Sequence, residues 1–181
     1  MKEVTLLALL IFCIFHFCIA QISKCRQADG ANDIDWVILY KPPGEKRGKI
    51  LVAAAAAWAA YPQDLDNAVA GVVGVKTKSN SKGVVILDTT VPADAAAWIV
   101  HTVPGYPKPK VAYAFPASEY ANGHMLICLT IAESQIEPIA VALFVASPFI
   151  YYNDVPDAEE PQFQFKYLAN LEDQNMKYTR K

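Results

Sequence analysis

Four short apolar runs rich in β-branched residues constrain the fold more than anything else in the chain: Trp36 to Tyr40, Val84 to Leu87, Trp98 to Val103 and Met125 to Ile131. Turn chemistry bounds them, with Pro42-Pro43-Gly44 after the first and Pro104-Gly105-Tyr106-Pro107 after the third. Such runs read as buried strands. The connection between the second and third is short, which predicts Gly83 to Leu87 and Trp98 to Val103 as neighbouring strands with helices covering the sheet. One helix is expected from Glu133 to Val145, where Ile136, Ile139, Ala140 and Leu143 recur at helical spacing and Pro148 ends the pattern. The class is therefore α/β (mixed α+β), a mixed β-sheet flanked by helices.

Two segments are less determined. Ala53 to Ala60, interrupted only by Trp58, has the composition of a helix, and Asp64 to Val73 reads as a second short helix running into Gly74. The tail over 156–181 is polar and reads as loosely held.

The chain opens with Lys2 and Glu3, then an apolar run from Val4 to Ile19 ending in Cys18-Ile19-Ala20, the pattern of a secretory signal peptide over 1–20. The run falls just short of the ~17–25 residues a spanning helix needs, so no membrane contact is expected once the leader is removed. The expected location is secreted or lysosomal. Of four cysteines, a mature chain keeps Cys25 and Cys128, which suggests one bridge in an oxidising compartment. It would close a loop on the order of 100 residues, for which chain entropy gives roughly 4–5 kcal/mol.

An apolar share of 54% suits one globular domain over 21–155. A formal net charge of −2 offers no global attraction for polyanions. Locally, Lys41, Lys46, Arg47 and Lys49 cluster around Gly44 and Gly48, a pattern that a solvated loop explains equally well because no aromatic residues interleave it. There is no Cys/His cluster with metal-ligand spacing, so no metal or cofactor is expected.

Five segments in order carry a resemblance: Asp35 to Pro43, Lys82 to Asp88 with the preceding Ser79-Asn80-Ser81, Trp98 to Pro107, Gly123 to Cys128 and Pro148 to Asn153. Together they resemble the first half of deoxyribonuclease II, the metal-independent acid endonuclease family of the phospholipase D-like superfamily. The resemblance implies a phospholipase D-like half-domain and a Cys25–Cys128 bridge, and for the alanine-rich segment it implies a strand, so that both conformations stay open there. It also implies a site in which two halves each contribute His-x-Lys. One histidine attacks phosphorus to give a covalent phosphohistidine, the other protonates the leaving oxygen, and the lysines hold the phosphate.

The chain departs from that scheme twice. Lys82 and Gly83 set the register, and the histidine position is Asn80, whose amide neither attacks nor exchanges protons near physiological pH. A second His-x-Lys does not follow. The expectation is a truncated family member, inactive or impaired, with DNA as its partner. Lys82 keeps a phosphate-binding role, and Lys41 is a second candidate for phosphate contact. His101 matches a family histidine near the site, although a hydrogen-bonded core histidine explains it equally; His124 reads as a surface-loop residue. Two alternatives accompany this: a non-catalytic secreted module binding DNA or protein on the same scaffold, and a homodimeric nuclease in which His101 stands in for the missing histidine.

Overall fold

The computed structural model describes residues 23–65, 68–69, 82–88, 94–107, 115–146, 148–155 and 165–171. The leader over 1–20 and Asn80 lie outside the described residues.

The four apolar runs become strands β3 (Trp36–Lys41), β7 (Lys82–Leu87), β8 (Ala96–His101) and β10 (His124–Ile131). With β4 (Arg47–Val52) and β5 (Ala59–Asp64) they build a six-stranded sheet in the order β5-β4-β3-β10-β8-β7. Every ladder in it is antiparallel. The expected mixing of strand directions is confined, among the described residues, to a parallel two-residue pairing of β6 (Ala68–Val69) with β9 (Phe115–Pro116). A further two-stranded piece pairs β1 (Cys25–Arg26) with β2 (Asp33–Ile34).

β10 lies between β3 and β8, and its apolar residues meet apolar partners on both sides: Ile127 faces Ile38 and Val100, and Leu129 faces Trp36 and Trp98. The predicted neighbours pair as expected, from Gly83 opposite Val100 to Leu87 opposite Ala96. Gly83 is needed there for room, because a Cβ would sit 2.8 Å from the Ile99 carbonyl oxygen. In the β3–β4 hairpin, Gly44 adopts φ +68, a left-handed conformation that glycine takes without strain.

One face of the sheet is covered by helix α1 (Ile136–Ala146), as the spacing predicts, and by a short helix α2 (Lys166–Ala169). Ala96, Ile136, Ala140, Phe165 and Leu168 form the buried core beneath them, with Val85, Leu87 and Ile131 packed against it. The small side chains of Ala96 and Ala140 let helix and sheet approach closely. Pro138 falls in the first turn of α1, where a missing N–H leaves no intrahelical bond unmade.

Two expectations are corrected, and one left open is decided. Of the two conformations open for the alanine run, the structure takes the strand at its end: Ala53 to Ala57 form the turn between β4 and β5, and Ala59 and Ala60 open β5. Pairing with β4, Lys49 opposite Ala60 and Ile50 opposite Ala59, outweighs a composition preference of a few tenths of a kcal/mol per residue. The helix expected over 64–73 is likewise absent where described, since Asp64 ends β5 and Ala68 and Val69 form β6. The tail is not loose throughout, because Phe165 and Leu168 are buried against α1 and the Tyr167 amide donates to Glu137 Oε1 at 3.1 Å.

Cys25 and Cys128 are bonded, with Cα atoms 5.9 Å apart. The bridge ties the start of the chain to the middle of β10 across a sequence separation of 103. Beside it, Thr130 Oγ1 accepts from the Cys25 amide at 2.9 Å and donates to the Ile34 carbonyl at 2.6 Å. Replacing both cysteines by serine is expected to lower stability by about 2–5 kcal/mol, measured as a shift of the urea midpoint.

Candidate functional site

The register brings chemically versatile residues to one end of the sheet. Lys82 opens β7 opposite His101, the last residue of β8, and His124 opens β10 opposite Lys41, the last residue of β3. His101 itself stands opposite Leu126, two positions from His124. Because strand side chains alternate, all four lie on the same sheet face, the one away from α1. Directly paired Cβ atoms lie roughly 5 Å apart and diagonal ones roughly 7–8 Å. Asn80 precedes this cluster by two residues in sequence and lies outside the described residues.

His101 is 2% exposed. Its Nδ1 accepts the Val103 amide at 3.2 Å, so the neutral ring carries its proton on Nε2. That Nε2 is buried and has no hydrogen-bond partner among the described residues. Burial, and then the charge of Lys82, hold the imidazole down at about 4. It therefore stays a neutral N–H donor in mildly acidic solution. Tyr106 stands edge-on to the ring at 5.4 Å.

His124 is not a surface-loop residue; it is 6% exposed and part of a relay. Thr102 Oγ1 accepts the Met125 amide at 3.1 Å and lies 3.3 Å from His124 Nδ1. On the other side of the ring, Nε2 lies 3.2 Å from Glu119 Oε2, an ion pair when the ring is protonated. Burial lowers the affinity of His124 for a second proton, with Glu119 opposing that effect and Lys41 reinforcing it.

Lys41 has a different task from the one sequence reasoning assigned to it. It is fully buried, and Nζ donates to the carbonyls of Tyr120 at 2.6 Å, Pro42 at 3.1 Å and Asn122 at 3.1 Å. Three donors meet three acceptors, so none remains for phosphate. The rings of Tyr120 and Phe115 lie 5.1 and 5.8 Å from the ammonium, and burial lowers its proton affinity against the pull of Glu119 and Glu45. Lys41 is thus a clasp holding the 120–122 turn against the end of β3.

Lys82 is half-buried beside His101 on the outermost strand. Glu119 and Thr102 were not singled out by sequence reasoning. Neither belongs to a spaced motif; they meet His124 only because the β8–β10 register and the turn before β10 bring them there. Among the described residues no group of three or more His, Cys, Asp or Glu is placed to hold a metal ion, and no helix is long and apolar enough to cross a membrane.

Two measurements check these assignments. Lys41→Met, which keeps the stem and leaves three carbonyls without their donor, is expected to cost about 2–4 kcal/mol in chemical unfolding while leaving the salt dependence of any polyanion binding unchanged. For His101 the unfolded ring takes a proton near 6.5 and the folded ring only near 4, so between those values the unfolded state binds more protons. Stability is then full above pH 6.5 and is lost as pH falls toward 4, by roughly 3 kcal/mol in all. Unfolding midpoints from pH 7 to 4 should decline less steeply in His101→Gln.

The sequence profile of deoxyribonuclease II matches residues 54–181. Deoxyribonuclease-2-beta of Homo sapiens is 25% identical over an alignment covering 84% of this chain and 52% of that protein. Deoxyribonuclease-2 of Caenorhabditis elegans is 32% identical over 42% of this chain and 19% of its own length, and Plancitoxin-1 of Acanthaster planci is 34% identical over 48% and 22%. The chain thus spans between about a fifth and about half the length of these relatives. No solved structure matches it. With the profile covering most of its residues, this chain belongs to the deoxyribonuclease II family.

Proposed function

We propose that this chain binds DNA through its phosphates at the end of the sheet and does not cleave it. One observation carries the reading: Asn80 stands where the family's His-x-Lys has its histidine, while Lys82 keeps the lysine position at the start of the outermost strand. A lysine charge suits a phosphodiester oxygen. An asparagine amide can donate to the same group but supplies neither a nucleophile nor an exchangeable proton. His101 is a poor substitute, because the Val103 amide engages Nδ1 and the proton on Nε2 blocks the lone pair that an attack on phosphorus requires. Losing general acid–base function alone costs typically 10²–10⁴ in rate, and losing the covalent step costs more.

The apolar run over 1–20, read as a leader, and the Cys25–Cys128 bridge support a secreted or lysosomal setting, where mild acidity leaves His101 neutral. A homodimer would place two copies of Lys82 in the system, yet both copies would carry Asn80.

Plasmid nicking at about pH 5 in chelator tests the reading. No cleavage above background is expected, with DNA retained at low salt, released steeply as salt rises, and held more weakly by Lys82→Ala. Asn80→His is expected to restore no cleavage in a monomer, and a trace at most in a two-fold dimer. Efficient chelator-resistant nicking by the unaltered chain would overturn the proposal and shift attention to His101. Failure to bind DNA at any salt would favour a protein partner instead.

A further inference from the structure

The basic cluster around Lys49 lacks aromatic neighbours in sequence but gains one in space. β4 and β5 form a hairpin in which Lys49 pairs with Ala60, and Trp58 lies two residues before Ala60. Trp58, Lys49, Arg47, Glu45 and Pro42 line an open groove of about 460 Å³. Trp58 is 46% exposed, a large apolar surface that the fold leaves in solvent at the rim. Lys49 is exposed, and Arg47 Nε is held at 2.9 Å by Asp64 Oδ1, which fixes the guanidinium at the groove's edge. Lys49 stands opposite Tyr40, whose neighbour Lys41 faces the histidine cluster, so the groove opens on the other sheet face from Lys82.

We propose that this groove binds single-stranded DNA, stacking an exposed base on the Trp58 indole while Lys49 and Arg47 take the adjoining phosphates. The inference rests on the reading of the chain as a DNA binder and adds a second contact to it. The pairing of one flat aromatic with two cations in the same groove suits a nucleotide, whose base offers a π-face and whose phosphate offers charge. A peptide or neutral sugar would use the indole but leave the cations unanswered. A duplex would answer the cations but keep its bases stacked on one another, so an unpaired strand uses the whole surface. Glu45 is the one acid among the lining residues and opposes the phosphate, which limits the site to modest affinity. From β4 to β7 is four strand spacings, roughly 19 Å, far enough for substitutions in the groove and at Lys82 to act independently.

The test is fluorescence anisotropy of the intact chain with labelled oligo(dT), with an abasic strand of equal length and with a duplex. Trp58→Ala is expected to weaken oligo(dT) binding about tenfold, to leave the abasic strand unaffected, and to be largely rescued in Trp58→Phe. Lys49→Ala should weaken both single strands and lower the salt slope by about 0.7. Unchanged oligo(dT) affinity in Trp58→Ala, or an equal loss on the abasic strand, overturns the groove. If Lys82→Ala alone weakens binding, the groove falls and the phosphate site stands; if Trp58→Ala alone does, the reverse holds. No binding of oligo(dT) by the unaltered chain sinks both. Because Trp58 is a rim residue, thermal midpoints of its variants should match the parent, and Trp58→Phe covers the case in which Trp58→Ala misfolds.

Discussion

The register of β10 is the constraint on which the rest of the molecule depends. Its eight residues pair with β3 on one side and β8 on the other, and a slip of one residue would turn His124, Leu126 and Cys128 to the opposite face. Three covalent or hydrogen-bonded fasteners resist that slip within three residues. Cys128 is bonded to Cys25, Thr130 Oγ1 bridges Cys25 and Ile34, and the Thr130 amide donates to the Asp35 carbonyl at 2.7 Å. All three lie toward one end of the strand, and the Lys41 clasp holds the other. The chain thus defines the position of His124 and His101 from both directions, which is how a small sheet with a modest core keeps a polar cluster in order.

Two lysines on one sheet face show how local geometry divides identical side chains into different roles. Lys41 meets three carbonyls and two ring faces, so its charge is satisfied within the protein and serves to anchor the 120–122 turn. Lys82 stands at the outer edge of the sheet, where its charge acts on His101 and suppresses protonation of that ring. A charged His101 beside Lys82 would place two cations within one Cβ spacing in a dry environment, and burial makes this costlier than it would be in water. Keeping the ring neutral avoids that cost over the acid range.

Much of the sheet was legible in the sequence because apolar β-branched runs closed by Pro and Gly leave few other options. The α1 spacing was legible through its helical period, and the cysteine pairing through the family resemblance and the two cysteines beyond the expected leader. The alanine run stayed open between helix and strand because alanine's helix preference is weak and the hairpin supplies a ladder of bonds that composition does not reveal. Phe165 and Leu168 were hidden in a polar tail, where two apolar residues suffice to dock a single turn against α1. Lys41 was placed on the correct strand with the wrong partner, because nothing in the sequence says that the 120–122 carbonyls converge on its ammonium. Trp58 escaped notice as a neighbour of Lys49 because the hairpin joins residues nine apart.

Net charge is a poor guide to partners for a molecule of this kind. At physiological ionic strength charges separated by more than about 8 Å are largely screened, so a strand of DNA responds to the cations within its reach and not to a total of −2. Lys82 on one face, and Lys49 with Arg47 and Trp58 on the other, are separated by several strand spacings and on the proposed reading would act as distinct short-range contacts. Each is weak alone, since single phosphate contacts are solvent-screened and a half-exposed indole gains only a share of its stacking area. Linked through one flexible polymer they reinforce each other, because the first contact raises the effective concentration of the strand at the second. On the proposed reading, a scaffold with Asn80 at the family's histidine position would in this way keep hold of nucleic acid without cleaving it.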